Sequence, residues 1–249
     1  MNYYVGTSGW SYDHWINVFY PEDLKKNQWL SFYSQYFDTV ELNMSFYRYP
    51  FKNMLKGWRN KLPQNFKMTF KAHRQITHRK KFQDVKENLE RFYGMVGQLG
   101  SQAGCVLFQV PPSFRNNVEN RALLTAFLEL TDPAFDNVME FRHKSWWDKD
   151  IVYMLGHHRV AFCTVSGLGM PADKMVSTDF AYFRFHGPGQ AYASEYTDEQ
   201  LYNWAGIIQD AIEQNNLQRV YCYFNNDFHG YAIENAKRLN KMLQGLVQG

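Results

Sequence analysis

Five apolar runs in this chain close on polar side chains two residues apart. Glu41 and Asn43, Lys71 and His73, Glu140 and Arg142, and Arg184 and His186 end four of them, and Asn225 and Asp227 end the last. Residues two apart in a strand share one face. Several strands therefore push charged groups out of one face at one end. That pattern builds a site at the mouth of a parallel barrel.

Strands are predicted over 3–7, 39–43, 66–72, 105–110, 137–142, 160–165, 180–185 and 219–225. Helical spacing or capping marks 27–37, 51–60, 84–99, 120–130, 148–155, 197–214 and 231–247 between and after them. Asn120 is a predicted cap, and Thr197 with Gln200 forms a capping-box pattern. The stretch 166–179 holds Gly167, Gly169 and Pro171 and shows no helical period. The unit between strands six and seven is therefore irregular. Eight strands mostly alternating with helices in 249 residues predict an α/β chain. The expected architecture is a single (β/α)8 TIM-type barrel spanning 1–249. The competing doubly wound sheet would more often carry a Gly-rich loop after its first strand, and GxGxxG is absent.

In a barrel, Val40, Leu42, Met68, Phe70, Met139, Phe141, Phe183 and Phe185 suit the face that meets the helices. The opposite parity then faces the axis. It carries Glu41, Asn43, Lys71, His73, Gln109, Glu140, Arg142, Thr164, Arg184, His186, Asn225 and Asp227. Most of these fall at C-terminal strand ends, the functional face of this fold.

Composition narrows the function classes. A net charge of +3 is too weak by itself to argue for nucleic acid. Cys105, Cys163 and Cys222 are scattered in apolar runs without a CxxC pair, which argues against a disulfide framework and a thiolate metal site. No window approaches the roughly 20 apolar residues of a membrane span. A cytoplasmic location is the default expectation.

Several motifs together resemble the YecE-like (DUF72) family. They are Gly6-Thr7-Ser8-Gly9-Trp10-Ser11-Tyr12 with Trp15 and Phe19-Tyr20-Pro21, then Val40-Glu41-Leu42-Asn43 with Phe46-Tyr47 and Pro50. Lys71 with Ile76-Thr77-His78, Gln109-Val110-Pro111-Pro112, and Glu140-Phe141-Arg142-His143 with Ser145-Trp146 follow in order. Tyr182 to Gly187 and Phe224-Asn225-Asn226 complete the set. The resemblance implies a TIM-type barrel and no particular reaction. It carries over Trp10, Glu41, Asn43, Lys71, Thr77, His78, Gln109, Glu140, Arg142, Arg184, His186, Asn225 and Asn226 as site residues. His73 and Asp227 join them on strand parity and position.

Lys71, Arg142 and Arg184 are three cations expected near one mouth, and they point to a small anionic or phosphorylated substrate. Glu41 and Glu140 are the acid/base candidates, with His186 assisting and Asp227 as a further catalytic candidate. The competing reading pairs the same carboxylates and guanidiniums in a structural network. Trp10, Asn43, His73, Thr77, His78, Gln109, Asn225 and Asn226 are expected to line the substrate. Trp146 and Phe228 are further stacking candidates, against a plain role in loop packing. The basic stretch Lys71 to Lys81 is either a solvated loop or a rim that steers anions and touches nucleic-acid phosphates. The turns around Gly167-Leu168-Gly169 and Gly187-Pro188-Gly189 either cradle phosphate or serve turn geometry alone.

Three functions follow. The first is a metal-independent enzyme of hydrolase or lyase type, with no cofactor motif evident. The second is a metal-dependent phosphoester hydrolase or nuclease, with a divalent metal on His73, His78 or His186 beside Glu41, Glu140 or Asp227. The third is a non-catalytic anion- or nucleic-acid-binding protein.

Overall fold

Each predicted strand forms, and all eight run parallel in one sheet. The computed structural model describes residues 1–246 of the chain. The strands are β1 (Asn2–Thr7), β2 (Thr39–Leu42), β3 (Lys67–Lys71), β4 (Ala103–Gln109), β5 (Asp136–Glu140), β6 (Val160–Ser166), β7 (Phe180–Phe185) and β8 (Arg219–Phe224). Their order is β1-β8-β7-β6-β5-β4-β3-β2, the sequence of a nearly closed (β/α)8 TIM-type barrel. Cys105, Leu107, Val138, Cys163, Tyr182 and Tyr223 fill its interior. Val40, Met68, Phe108, Met139 and Phe183 pack in the outer layer with the helices.

The helices are α1 (Trp29–Tyr33), α2 (Met44–Tyr47), α3 (Lys52–Lys61), α4 (Lys86–Val96), α5 (Val118–Leu128), α6 (Lys149–His157), α7 (Asp198–Asn215) and α8 (Tyr231–Leu246). The predicted helix 27–37 is cut short because its end tightens to i→i+3 bonds, Gln35 N to Phe32 O and Tyr36 N to Tyr33 O. The predicted helix 84–99 loses its first residues to Asp84, at φ 49°. Asn117 caps α5 instead of Asn120, and its side chain accepts from Asn120 N at 2.8 Å. The capping box of Thr197 and Gln200 starts α7. No helix forms between β6 and β7. Val247, the predicted end of the last helix, lies outside the described residues.

Thr164 is not on the barrel axis. Cys163 and Val165 fill the interior, so Thr164 shares the outer parity of Phe162. Its Oγ1 accepts from Met175 N at 3.2 Å. The run 160–165 is largely apolar on both faces, so alternation alone carried no orientation.

Two strand junctions are closed by side chains. No β1–β2 ladder forms among the described residues. The Tyr33 hydroxyl spans that seam, accepting from Thr7 N at 3.0 Å and donating to Thr39 O at 3.1 Å. Gly6 lets the strands approach, because a Cβ there would sit 2.4 Å from Thr39 O. Between β3 and β4 the register shifts at Thr69, whose Oγ1 accepts from Cys105 N at 3.0 Å.

Candidate functional site

The C-terminal ends of β2, β5 and β7 meet around one guanidinium. Strand parity turns Glu41, Glu140 and Arg184 inward, and closure of the ring brings them together. Arg184 Nη2 donates to Glu41 Oε1 at 2.7 Å, and Nη1 donates to Glu140 Oε2 at 2.6 Å. Ser8 Oγ donates to Glu41 Oε1 at 2.7 Å, and the Tyr182 hydroxyl donates to Oε2 at 2.5 Å. Both carboxylates are fully buried, and Arg184 is 1% exposed. Burial works against the Arg184 charge, but Glu140 and Glu41 outweigh it and hold the guanidinium ionised. Burial likewise opposes ionisation of Glu140, yet Arg142, Arg184 and Lys71 hold its carboxyl below the usual range.

A second layer lies over this one. Arg142 Nε forms an ion pair with Glu140 Oε1, and Arg142 Nη2 lies 3.3 Å from His186 Nε2. A guanidinium only donates, so His186 Nε2 accepts and its ring proton sits on Nδ1. The Asn225 amide, 3.3 Å from Nδ1, takes that proton through its oxygen when oriented for the network. Burial, then Arg184, Arg142 and Lys71, push the His186 pKa far down, which keeps the ring neutral. His186 is fully buried, and both ring nitrogens face protein groups.

The layer above opens into a cleft of about 430 Å³, lined by Asn43, Phe46, Tyr47, Lys71, Gln109, Pro112, Arg142, Tyr192 and Asn225. Lys71 ends β3 and is half-buried. Its Nζ lies 4.4 Å from the Phe46 ring centroid. Burial first, and then the Arg184 and Arg142 charges, lower its pKa to about 8 against the pull of Glu140 and Glu41. A π-helical turn, Gln75–Arg79, follows β3, a feature that often marks functional positions. It packs His78 edge-on against Phe46, 4.7 Å between centroids. Burial, Lys71 and Arg142 lower the His78 pKa to about 4. With both histidines neutral, Lys71, Arg142 and Arg184 face only Glu41 and Glu140. One positive charge is left uncompensated at the cleft floor.

The other expected site residues are dispersed. Trp10 packs edge-on against Trp58 at 5.3 Å, outside the cleft lining. His73 stacks on Tyr49 and reaches the Tyr47 carbonyl at 3.2 Å. Thr77 is buried against His78 Nδ1 at 2.9 Å. Asn226 donates to Ser194 O and to Asn235 Oδ1, both at 2.9 Å, as part of a loop anchor. Asp227 turns toward His14, 3.7 Å away, so the parity of the last strand does not extend to it. Trp146 is buried between Phe114 and Phe141 as loop packing, whereas Phe228 is exposed. The Gly187 and Gly189 N–H groups donate to Tyr196 Oη and Ser194 Oγ, which uses them within the loop.

No three His, Cys, Asp or Glu side chains converge as a metal site among the described residues. Arg184 occupies the space between the two buried carboxylates, so the expected mixed N/O ligand set is not assembled. No helix among them is long and apolar enough to cross a membrane. Larger clefts, such as one of about 690 Å³ between α4 and the end of α5, lie away from the C-terminal strand ends.

Sequence reasoning quoted Phe46, Tyr47 and Pro112 in the lining, and Ser8 and Tyr182 beneath it, as motif residues without assigning them to the site, and it missed Tyr192. Tyr182 shares the parity of Arg184, so alternation could have found it. Tyr192 sits in an aperiodic loop, at φ 67°, and its N–H donates to the His186 carbonyl at 2.6 Å.

Comparison with known proteins places these features in context. The model of the family described as "Protein of unknown function DUF72" matches residues 4–248. The UPF0759 protein YunF of Bacillus subtilis is 26% identical, over 96% of this chain and 94% of its own length. The UPF0759 protein YecE of Escherichia coli is 23% identical over 59% of this chain and 50% of its own. A crystal structure of a DUF72 family protein from Thermotoga maritima superposes with a TM-score of 0.88 at 32% identity, over 98% of this chain and 100% of that one. A DUF72 family structure from Enterococcus faecalis, at 20% identity and a TM-score of 0.84, shares the fold; the match covers 97% of this chain and 95% of that one.

Proposed function

The chain belongs to the DUF72 family, and from that premise we propose that it is an enzyme acting on a small anionic substrate, a phosphate ester or a carboxylate, in the cleft at the barrel mouth. The observation that carries this reading is the one uncompensated positive charge left where Lys71 stands beside the ion-paired Arg142, in a cleft of about 430 Å³. That volume falls in the range of about 300–1,000 Å³ usual for small-molecule sites. Asn43, Gln109 and Asn225 add neutral hydrogen-bonding groups beside the two cations.

The division of labour differs from the one expected of three cations and two acids. Arg184 has both terminal nitrogens on carboxylates and takes no part in an anion clamp. Glu41 and Glu140 hold that guanidinium, and Glu140 sets Arg142 above it. Proton transfer falls to Lys71, whose pKa of about 8 lets it act near neutral pH. An amine base without an accessible carboxylate pair favours lyase-type chemistry over hydrolysis.

Titration calorimetry with sulfate tests the clamp. Charge-assisted contacts of about 1.5–3 kcal/mol predict at least roughly tenfold weaker binding for Lys71→Gln and for Arg142→Ala. The affinity of the unmodified chain should fall as pH rises through about 8, where Lys71 loses its charge. Lys71→Arg should remove that slope. Equal sulfate affinity in all three variants, or none in the unmodified chain, sinks the reading.

A further inference from the structure

We propose that Lys71 is a carbonyl-reactive amine that forms an imine with an aldehyde or ketone carried by the anionic substrate. This rests on the anion-cleft reading and adds the substrate's second functional group.

Three features of the cleft lead there. First, Lys71 Nζ has no hydrogen bond and no ion pair with any described residue, although two carboxylates lie close by. Those carboxylates are taken by Arg184, Arg142, Ser8 and Tyr182. An ion pair would hold the ammonium in its protonated form; without one, Lys71 is free to lose its proton and expose the nitrogen lone pair. Second, the Phe46 ring covers one side of Nζ at 4.4 Å and gives the amine an apolar wall. Desolvation beside other cations is the recognised way to activate a lysine nucleophile. The charged and titratable groups acting on it are Glu41 from β2, Glu140 and Arg142 from β5 and its end, and Arg184 from β7. His78, from the π-helical turn, packs edge-on against the same Phe46 ring. Third, Arg142 lines the same cleft, so one cation holds the substrate's anion while the other faces its carbonyl. Asn43 Oδ1 is buried there without a partner and offers an acceptor for a substrate hydroxyl.

The step balances without a further reactant. The neutral Lys71 nitrogen bonds to the carbonyl carbon, and the C=O π electrons move to oxygen. A proton passes from nitrogen to that oxygen through cleft water and gives a carbinolamine. Loss of water then leaves the imine, which on protonation withdraws electrons from the neighbouring carbon. A C–H or C–C bond at that carbon is thereby weakened, as lyase chemistry requires.

Reductive trapping tests the assignment. The full chain is incubated with pyruvate, and separately with dihydroxyacetone phosphate, in the presence of cyanoborohydride. Intact mass and peptide mapping then locate any adduct. One adduct at Lys71, suppressed by sulfate and lost in Lys71→Arg, supports the proposal. The Lys71→Arg chain should still bind sulfate within a few-fold, which separates lost chemistry from a lost fold. Labelling confined to other lysines and indifferent to sulfate, with sulfate still binding, overturns the imine and leaves the anion reading standing. Failure of both trapping and sulfate binding overturns the two together.

Discussion

Glu140 receives one guanidinium from each side, and neither carboxylate oxygen reaches solvent. Such a group is a scaffold element before it is anything else. Breaking one partner of a buried ion network costs about 3–5 kcal/mol, because the remaining charge stays buried without compensation. Glu140→Gln should lose about that much in urea unfolding; a loss below roughly 1 kcal/mol would mean the network is relaxed by water. Sequence parity put Glu41, Glu140, Arg142 and Arg184 at one mouth, and that placement was legible from alternation alone. The pairing was not, since Arg184 and Glu41 stand 143 positions apart. Spacing within a strand reports which face a residue takes. It says nothing of which cation, from which strand, closes on which acid. His73 and Asp227 illustrate the same limit: each follows the parity of its run but lies past the last paired residue, where the chain has already turned.

At the scale of elements, the barrel was legible because strands and helices alternate with distinct periods. Helix ends were less so. The predicted cap of α5 was Asn120, but Asn117, three residues earlier and equally suited, offers its side chain instead. The β1–β2 seam was invisible to pattern, since it is made by one hydroxyl from α1. Tyr33→Phe keeps the ring but strands the Thr7 N–H and the Thr39 carbonyl in a buried place. Unsatisfied buried groups cost about 1–3 kcal/mol, so the variant should unfold earlier in denaturant by that amount. Amide exchange should quicken first at Thr7. Unchanged stability would show that β1 and β2 close without the clasp.

Across the whole molecule, the interior charge is distributed over strands that the ribosome delivers far apart in time. In the chain, Glu41 and Glu140 precede Arg184, the only group among the described residues that holds both. A nascent chain with β2 to β5 in hand therefore carries two acids that cannot yet be dried. A fragment ending at residue 166 should lack a cooperative unfolding transition and regain one only when the rest of the chain, supplied separately, contributes β7. A cooperative transition in the fragment alone would contradict this. Arg184 thus ties the seventh strand to acids laid down on the second and fifth, so the mouth is complete only once that strand is in place.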